Sequence, residues 1–249
     1  MFGIARLNTL AKIIVAGRTA KTITNGGGAT VSTTQSKFGG ASLAVSIAAL
    51  NNTHYVSIAG SATNTDLNWG TGDFTVEMWV YPTTNGNSGG SANTTIVDSR
   101  SASADAAGIA MQFDSNNYLR LYMGSGGGGG NLIQGATAIT INTWNHIAAV
   151  RSSGTVYLYL NGVAQGGGGV ANSSSVTNAT APTFGRSSYN TAFVYRGYID
   201  EIRISNSVRY PSGTTFTPST SAFTNDANTL FLMHANGTNG QTTFTDDNA

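Results

Sequence analysis

From Lys21 onward the large apolar side chains recur at every second position. Phe74-Thr75-Val76-Glu77-Met78-Trp79-Val80 alternates apolar with smaller or polar residues, and so do Trp144–Val150 and Thr155–Leu160. A period of two is the pattern of a strand with one buried face, because successive side chains point to opposite sides. Thr155–Leu160 runs straight into Asn161-Gly162, a pair suited to the two-residue hairpin turn, which needs positive φ at both positions. Further strands are predicted at Tyr55–Ile58, Ile109–Phe113, Tyr118–Met123, Ile199–Ile204 and Thr229–Met233. About a dozen short strands separated by Gly, Asn and Ser turns predict an all-β protein of two antiparallel sheets packed face to face.

The chain start follows a different rhythm. Ile4, Leu7, Ala11 and Ile14 recur at helical spacing with Leu10 and Ile13 beside them, and Gly17 supplies a stop. A helix this short is marginal alone and needs a surface to pack on, either its own domain or another subunit. Ile4, Leu7, Leu10, Ile13 and Ile14 are therefore the candidate assembly residues of an N-terminal helical arm, 1–20, ahead of one domain, 21–249. Lys12 interrupts what would be the apolar core of a signal peptide. A sandwich of 200–250 residues is commonly one unit, so the length forces no split.

Composition narrows the classes of function. Glycine supplies 32 of 249 residues, nearly twice its usual share of about 7%. Charged residues make up only 9%, so Ser, Thr, Asn and Gly must cover the surface, which suits β-structure better than exposed helices. A net charge of +1 with 12 dispersed Lys and Arg is too little for nucleic-acid binding. No apolar stretch is long enough to cross a membrane as a helix. The absence of cysteine removes disulfides, thiolate nucleophiles and thiolate metal sites. The glycine-rich segments 86–90, 124–130 and 166–169 lack the Lys-Ser/Thr and following helix of a phosphate loop, and read as long loops.

Several motifs then line up in order. Lys37-Phe38-Gly39-Gly40-Ala41-Ser42-Leu43 and Phe74–Pro82 are followed by Thr143–Arg151, Tyr157–Gly162 and Gly197–Ser205. Together they resemble a laminin-G-like domain, which implies a two-sheet antiparallel jelly roll of the concanavalin A-like kind; the short N-terminal helix read from the apolar spacing stands ahead of it. Joined to Phe223-Thr224-Asn225-Asp226-Ala227-Asn228-Thr229-Leu230, the first motif also resembles modules of virion structural proteins in tailed, particularly marine, bacteriophages. That resemblance implies a non-enzymatic capsid decoration or accessory protein on the particle surface. Its partners would be other virion proteins, reached through the arm, with homo-oligomers and cell-surface glycans further candidates. The usual module opens with a strand similar to Leu230–Gly237, followed by one similar to Thr243–Asp246. Here both stand at the C-terminus. The domain is thus expected to be circularly permuted, with 229–249 closing its own sheet rather than a neighbour's.

The fold also invites a glycan-binding adhesin or tail-fibre head domain, and a glycoside hydrolase. A hydrolase needs two carboxylates across the scissile bond. Asp200 and Glu201 are adjacent, and on a regular strand they point to opposite faces, which reads as structural. His54, His146 and His234 have no metal-ligand spacing, and His146 is expected as a satisfied imidazole on the face of Trp144. No cofactor is implied beyond candidate calcium, with Asn64, Asp66 and Asp73 in one loop and Asp98 with Asp105 in another. Trp69, Arg186, Tyr189, Asn190, Tyr195 and Arg196 are the candidate glycan residues, pairing aromatic faces with hydroxyl-binding groups.

Overall fold

The computed structural model describes residues 19–49, 51–86, 93–124, 132–210 and 212–248. The arm residues Ile4, Leu7, Leu10, Ile13 and Ile14 lie outside them. Among the described residues sixteen strands, numbered in chain order, build two antiparallel sheets. The smaller holds seven in the order β1 (Ile23–Asn25), β4 (Val56–Ile58), β14 (Thr183–Phe184), β6 (Asn93–Asp98), β7 (Ile109–Asp114), β8 (Tyr118–Met123) and β9 (Ile133–Ala138). The larger runs β12 (Val163–Ala164), β11 (Thr155–Leu160), β10 (Asn145–Ser152), β5 (Phe74–Pro82), β15 (Gly197–Ser205), β3 (Ser42–Val45) and β2 (Thr30–Ser32). β13 (Val170–Ala171) also pairs with β11, and β16 (Thr229–Met233) with β15.

The alternation explains the core. Phe74, Val76, Met78 and Val80 of β5 point inward with Ile147, Ala149, Val156 and Leu158. They meet Met111, Phe113, Leu119 and Leu121 from the opposite sheet. Burying each such large side chain contributes about 1.5–3 kcal/mol. The Asn161-Gly162 turn has φ of 51° and 80° and joins Leu160 to Val163 as a two-residue hairpin.

β15 organises the larger sheet. One edge pairs with β5 throughout; along the other, Gly197–Ile199 pairs with β3 and Ile202–Ser205 with β16. The change of partner falls at a bulge: Asp200 faces Trp79 and Arg203 faces Glu77, so one extra residue sits in β15, and Glu201 takes φ 54°.

The last strand is received within its own sheet. Beyond it, the Asp246 carboxylate accepts hydrogen bonds from the Lys21 and Leu232 backbones at 2.8 and 3.1 Å. Val31 and Gly240–Gln241 exchange backbone bonds alongside β2. The two ends of the domain therefore meet.

Candidate functional site

The outer face of the larger sheet is laid out in cross-strand rows. Tyr81 faces Tyr198 across β5 and β15, and Trp144, one residue before the Asn145–Val80 pair, continues that row on the other side. The next row is His146, Trp79 and Asp200; then Ala148, Glu77 and Arg203; then Val150, Thr75 and Ser205. Residues 206–210 and 212–228, between β15 and β16, form a strap across the later rows. Val208, Tyr210 and Phe216 pack on Ala148, Val150 and Tyr159, while Phe223 packs with Trp79 and Leu232.

Under the strap lies a closed polar cluster. Glu77 and His146 are both fully buried, with His146 Nε2 3.1 Å from Glu77 Oε2. Arg203 donates twice to Glu77 Oε1, at 2.8 and 2.7 Å, and the Tyr210 hydroxyl donates to Oε2. Burial alone would raise the Glu77 pKa; the hydrogen bond from His146, the Arg203 charge and the Tyr210 hydroxyl together hold it below its ordinary value. An ionised carboxylate only accepts, so Nε2 carries the imidazole proton. His146 Nδ1 is buried without a partner, so this imidazole is only half satisfied.

Asp200 and Glu201 depart from the regular-strand expectation. The bulge brings both carboxylates to segments of one outer-face cluster. Asp200 Oδ2 accepts from the backbones of Lys37 and Phe38 at 2.8 and 3.2 Å. Glu201 Oε2 accepts from the Phe223 backbone at 2.6 Å, and its Oε1 lies 2.8 Å from His234 Nδ1. Phe38 and Phe223 both pack in the Trp79 cluster. Gly39 and Gly40 complete the first of these turns with φ of 69° and 86°, a backbone that side-chain-bearing residues rarely adopt.

The first row lies at the margin of the strap, with Trp144 packed at the edge of the Trp79, Phe223 and Leu232 cluster. Trp144 and Tyr81 are partly exposed, and their ring centroids stand 5.5 Å apart, edge to face. Tyr198 adjoins Tyr81 at 5.9 Å and is largely buried. Three strands at about 4.8 Å spacing make the row roughly 10 Å wide, the reach of two linked pyranose rings. Exposed Asn142 and Thr143 lie beside it, with the Asn142 backbone donating to Pro82 at 2.7 Å. Lys37 Nζ sits 3.8 Å above the Trp79 ring and 5.4 Å from that of Phe38.

The residues singled out by sequence are not gathered in this way. Tyr195 is wholly buried against Phe113, its hydroxyl donating to the Tyr198 carbonyl, so it cannot face a ligand. Its backbone bonds Gly185 and extends the sheet, which turns the ring inward. Trp69 stacks on Phe74 at 4.5 Å. Arg186 lies over the Tyr55 ring at 3.9 Å and donates to the Asn52 carbonyl. Arg196 donates to the carbonyls of Ile47 and Ala48. Tyr189 lies near the buried Arg100–Asp98 pair, and the Asn190 side chain accepts from the Ala192 backbone.

The calcium candidates are engaged separately. Asn64 donates to the Ala59 carbonyl, Asp66 pairs with Lys21, and Asp73 accepts from the Ser153 backbone. Among the described residues no group of three or more His, Asp or Glu is placed to hold a metal ion. A cleft of about 310 Å³ lined by Thr19, Ala20, Thr22, Ala59, Thr63 and Asn64 offers neither an aromatic nor an ionisable side chain.

Tyr81 and Trp144 were hidden in motifs that identify the fold. The usable signal was the period itself, which places Trp79 with Tyr81, and Trp144 with His146, on the face opposite the core.

Two antiparallel sheets with this order and closure define a lectin-like jelly roll. Residues 50–213 match the concanavalin A-like lectin/glucanases superfamily, in its laminin-G type, and the chain belongs to that family. Among solved structures it is similar to domain 4 of AbnA, a GH43 extracellular arabinanase from Geobacillus stearothermophilus, in complex with arabinotriose. That pair shares 20% identity over 75% of this chain and 82% of the other, with a TM-score of 0.51. The botulinum neurotoxin serotype G binding domain shares 14% identity over 78% of this chain and 45% of its own, with a TM-score of 0.54. Trypanosoma rangeli sialidase with the inhibitor DANA shares 10% over 68% and 26%, with a TM-score of 0.50. At such identities the likeness is one of fold, and the chain spans less than half of the latter two proteins. No curated protein matches the chain in sequence.

Proposed function

We propose that this chain is a non-enzymatic carbohydrate-binding module that holds a glycan on the outer row, at the partly exposed rings of Trp144 and Tyr81, with Tyr198 packed beside Tyr81 as support. The observation that carries the reading is the position of that row. Trp144 and Tyr81 keep part of their surface exposed at the margin of the strap, and aromatic rings there can meet the apolar face of a sugar while neighbouring amides and hydroxyls meet its hydroxyl groups. The arabinanase domain solved with arabinotriose has the same fold, which supports the reading without fixing the ligand.

The carboxylates argue against hydrolysis. All 11 Asp and Glu side chains of the sequence lie among the described residues, and each one accepts a hydrogen bond or pairs with a base within the fold. These commitments within the fold support reading the carboxylates as structural rather than as an acid and nucleophile across a cleft. A saccharide array with the intact chain tests binding, and an assay for new reducing ends tests catalysis. Binding without cleavage is expected; release of reducing ends, or no binding to any saccharide class, defeats the proposal.

A particle-borne role is the setting we propose for the module, as a capsid decoration. Its support is the phage-like pairing of two motifs, and the fold gives that pairing a physical basis. Lys37-Phe38 and Phe223 are held by neighbouring carboxylates, Asp200 and Glu201, in one cluster. Mass spectrometry of purified particles should find the chain in stoichiometric amounts, and removal of residues 1–20 should prevent its incorporation. Absence from the particle would exclude this setting while leaving glycan binding intact.

A further inference from the structure

Nine of the 12 basic side chains lie among the described residues, and eight of them are committed to oxygen acceptors. Lys21 pairs with Asp66, Arg100 with Asp98, Arg120 with Asp114, Arg203 with Glu77 and Arg209 with Asp226. Arg151, Arg186 and Arg196 donate to backbone carbonyls. Lys37 alone among them rests on aromatic rings with no oxygen partner, partly exposed, its ammonium 3.8 Å from the centre of Trp79. Trp79 precedes Tyr81 by two residues on the same strand face, a separation of about 6.7 Å. A cation without an ion-pair partner thus stands roughly one sugar ring from the aromatic row. The acids nearby are engaged elsewhere: Asp200 Oδ2 accepts from the Lys37 and Phe38 backbones, Glu77 pairs with Arg203 and Glu201 with His234.

We infer that the row takes an acidic saccharide, with a pyranose ring against Trp144 and Tyr81 and a carboxylate or sulfate held by Lys37. This rests on the glycan-binding reading above. A charge-assisted hydrogen bond from an ammonium already lifted from bulk water is stronger than one between neutral groups, and its loss leaves a charged ligand group unpaired. Lys37 is well placed for such a contact because its own backbone N–H is fixed by Asp200 at 2.8 Å.

The test is calorimetric titration of the intact chain with a uronic-acid oligosaccharide, its carboxyl-reduced neutral counterpart and a sulfated oligosaccharide of equal length. The acidic ligands should bind about tenfold more tightly than the neutral one, and the preference should shrink as salt is added. Lys37→Gln should bring them to the neutral level with no change for the neutral sugar, and Lys37→Arg should restore the preference. Whether the carboxylate or the sulfate ligand gains more distinguishes the two acid groups. Equal binding of acidic and neutral sugars, both lost in Trp144→Ala, overturns the acidic class and leaves glycan binding standing. Binding that survives unchanged in a folded Trp144→Ala overturns both.

Discussion

Asp200 and Glu201, neighbours in sequence, hold two chain segments against one cluster on the outer face of the larger sheet. Asp200 fixes the turn of Lys37 and Phe38, and Glu201 fixes Phe223 in the strap. The bulge between them is what lets adjacent residues serve the same side. Removing the Asp200 carboxylate leaves backbone donors without acceptors at a closed site. Asp200→Ala is therefore expected to lower stability by about 2–3 kcal/mol, read as a shift of the urea midpoint at unchanged slope.

The same carboxyl gives the protein a pH dependence. Burial, with Glu201 adding to it, pushes Asp200 up to about 7 against the backbone N–H groups of Phe38, Lys37 and Glu201. A carboxyl raised from 3.8 to about 7 on folding contributes stability that is full below about pH 4 and lost as pH rises through about 7. His234, raised by its hydrogen bond to Glu201, and Asp246, raised by burial, act in the same sense. Glu77 acts in the opposite sense, but only as pH falls below its ordinary 4.5. The melting temperature should fall between about pH 5 and pH 8, with a shallower slope in Asp200→Asn. An identical slope in the variant would show that Asp200 stays ionised throughout.

Glu77 should be the most sensitive polar position in the molecule. Glu77→Ala leaves Arg203 without its carboxylate and His146 and Tyr210 without their acceptor. A loss of about 3–5 kcal/mol is expected, measured by thermal or urea unfolding. A loss below 1 kcal/mol, on the scale of about that of an exposed pair, would mean that the strap does not exclude water.

Closure by β16 predicts that the tail is indispensable to the monomer. Phe231 and Met233 are in the core, and Asp246 ties Lys21 and Leu232. A chain ending at residue 228 should show no cooperative melting transition. A folded monomer of that length would contradict intramolecular closure.

The sequence made the architecture readable because alternation in Thr155–Leu160, the apolar positions of Tyr118–Met123 and the apolar run of Thr229–Met233 coincide with whole strands. Two- and three-residue strands such as β1, β2 and β12–β14 carry too few residues to show a period, and only pairing defines them. The site was harder to read. Tyr195 resembles a loop aromatic until its backbone bond to Gly185 turns it inward. Tyr81 and Trp144 look like ordinary strand residues until their partial exposure at the margin of the strap is seen. Which aromatic remains open depends on the fold of the strap, a segment without periodicity.

Trp144, rather than the residues of the 185–196 loop, should carry glycan binding. The most direct test compares the affinity of the intact chain, Trp144→Ala and Tyr189→Ala for the strongest saccharide from the array. Trp144→Ala should lose about 30-fold or more, as expected on truncating an aromatic anchor, while Tyr189→Ala should bind as the parent does. Loss in Tyr189→Ala with full binding in Trp144→Ala would contradict this and move the site to the loop beside Arg100.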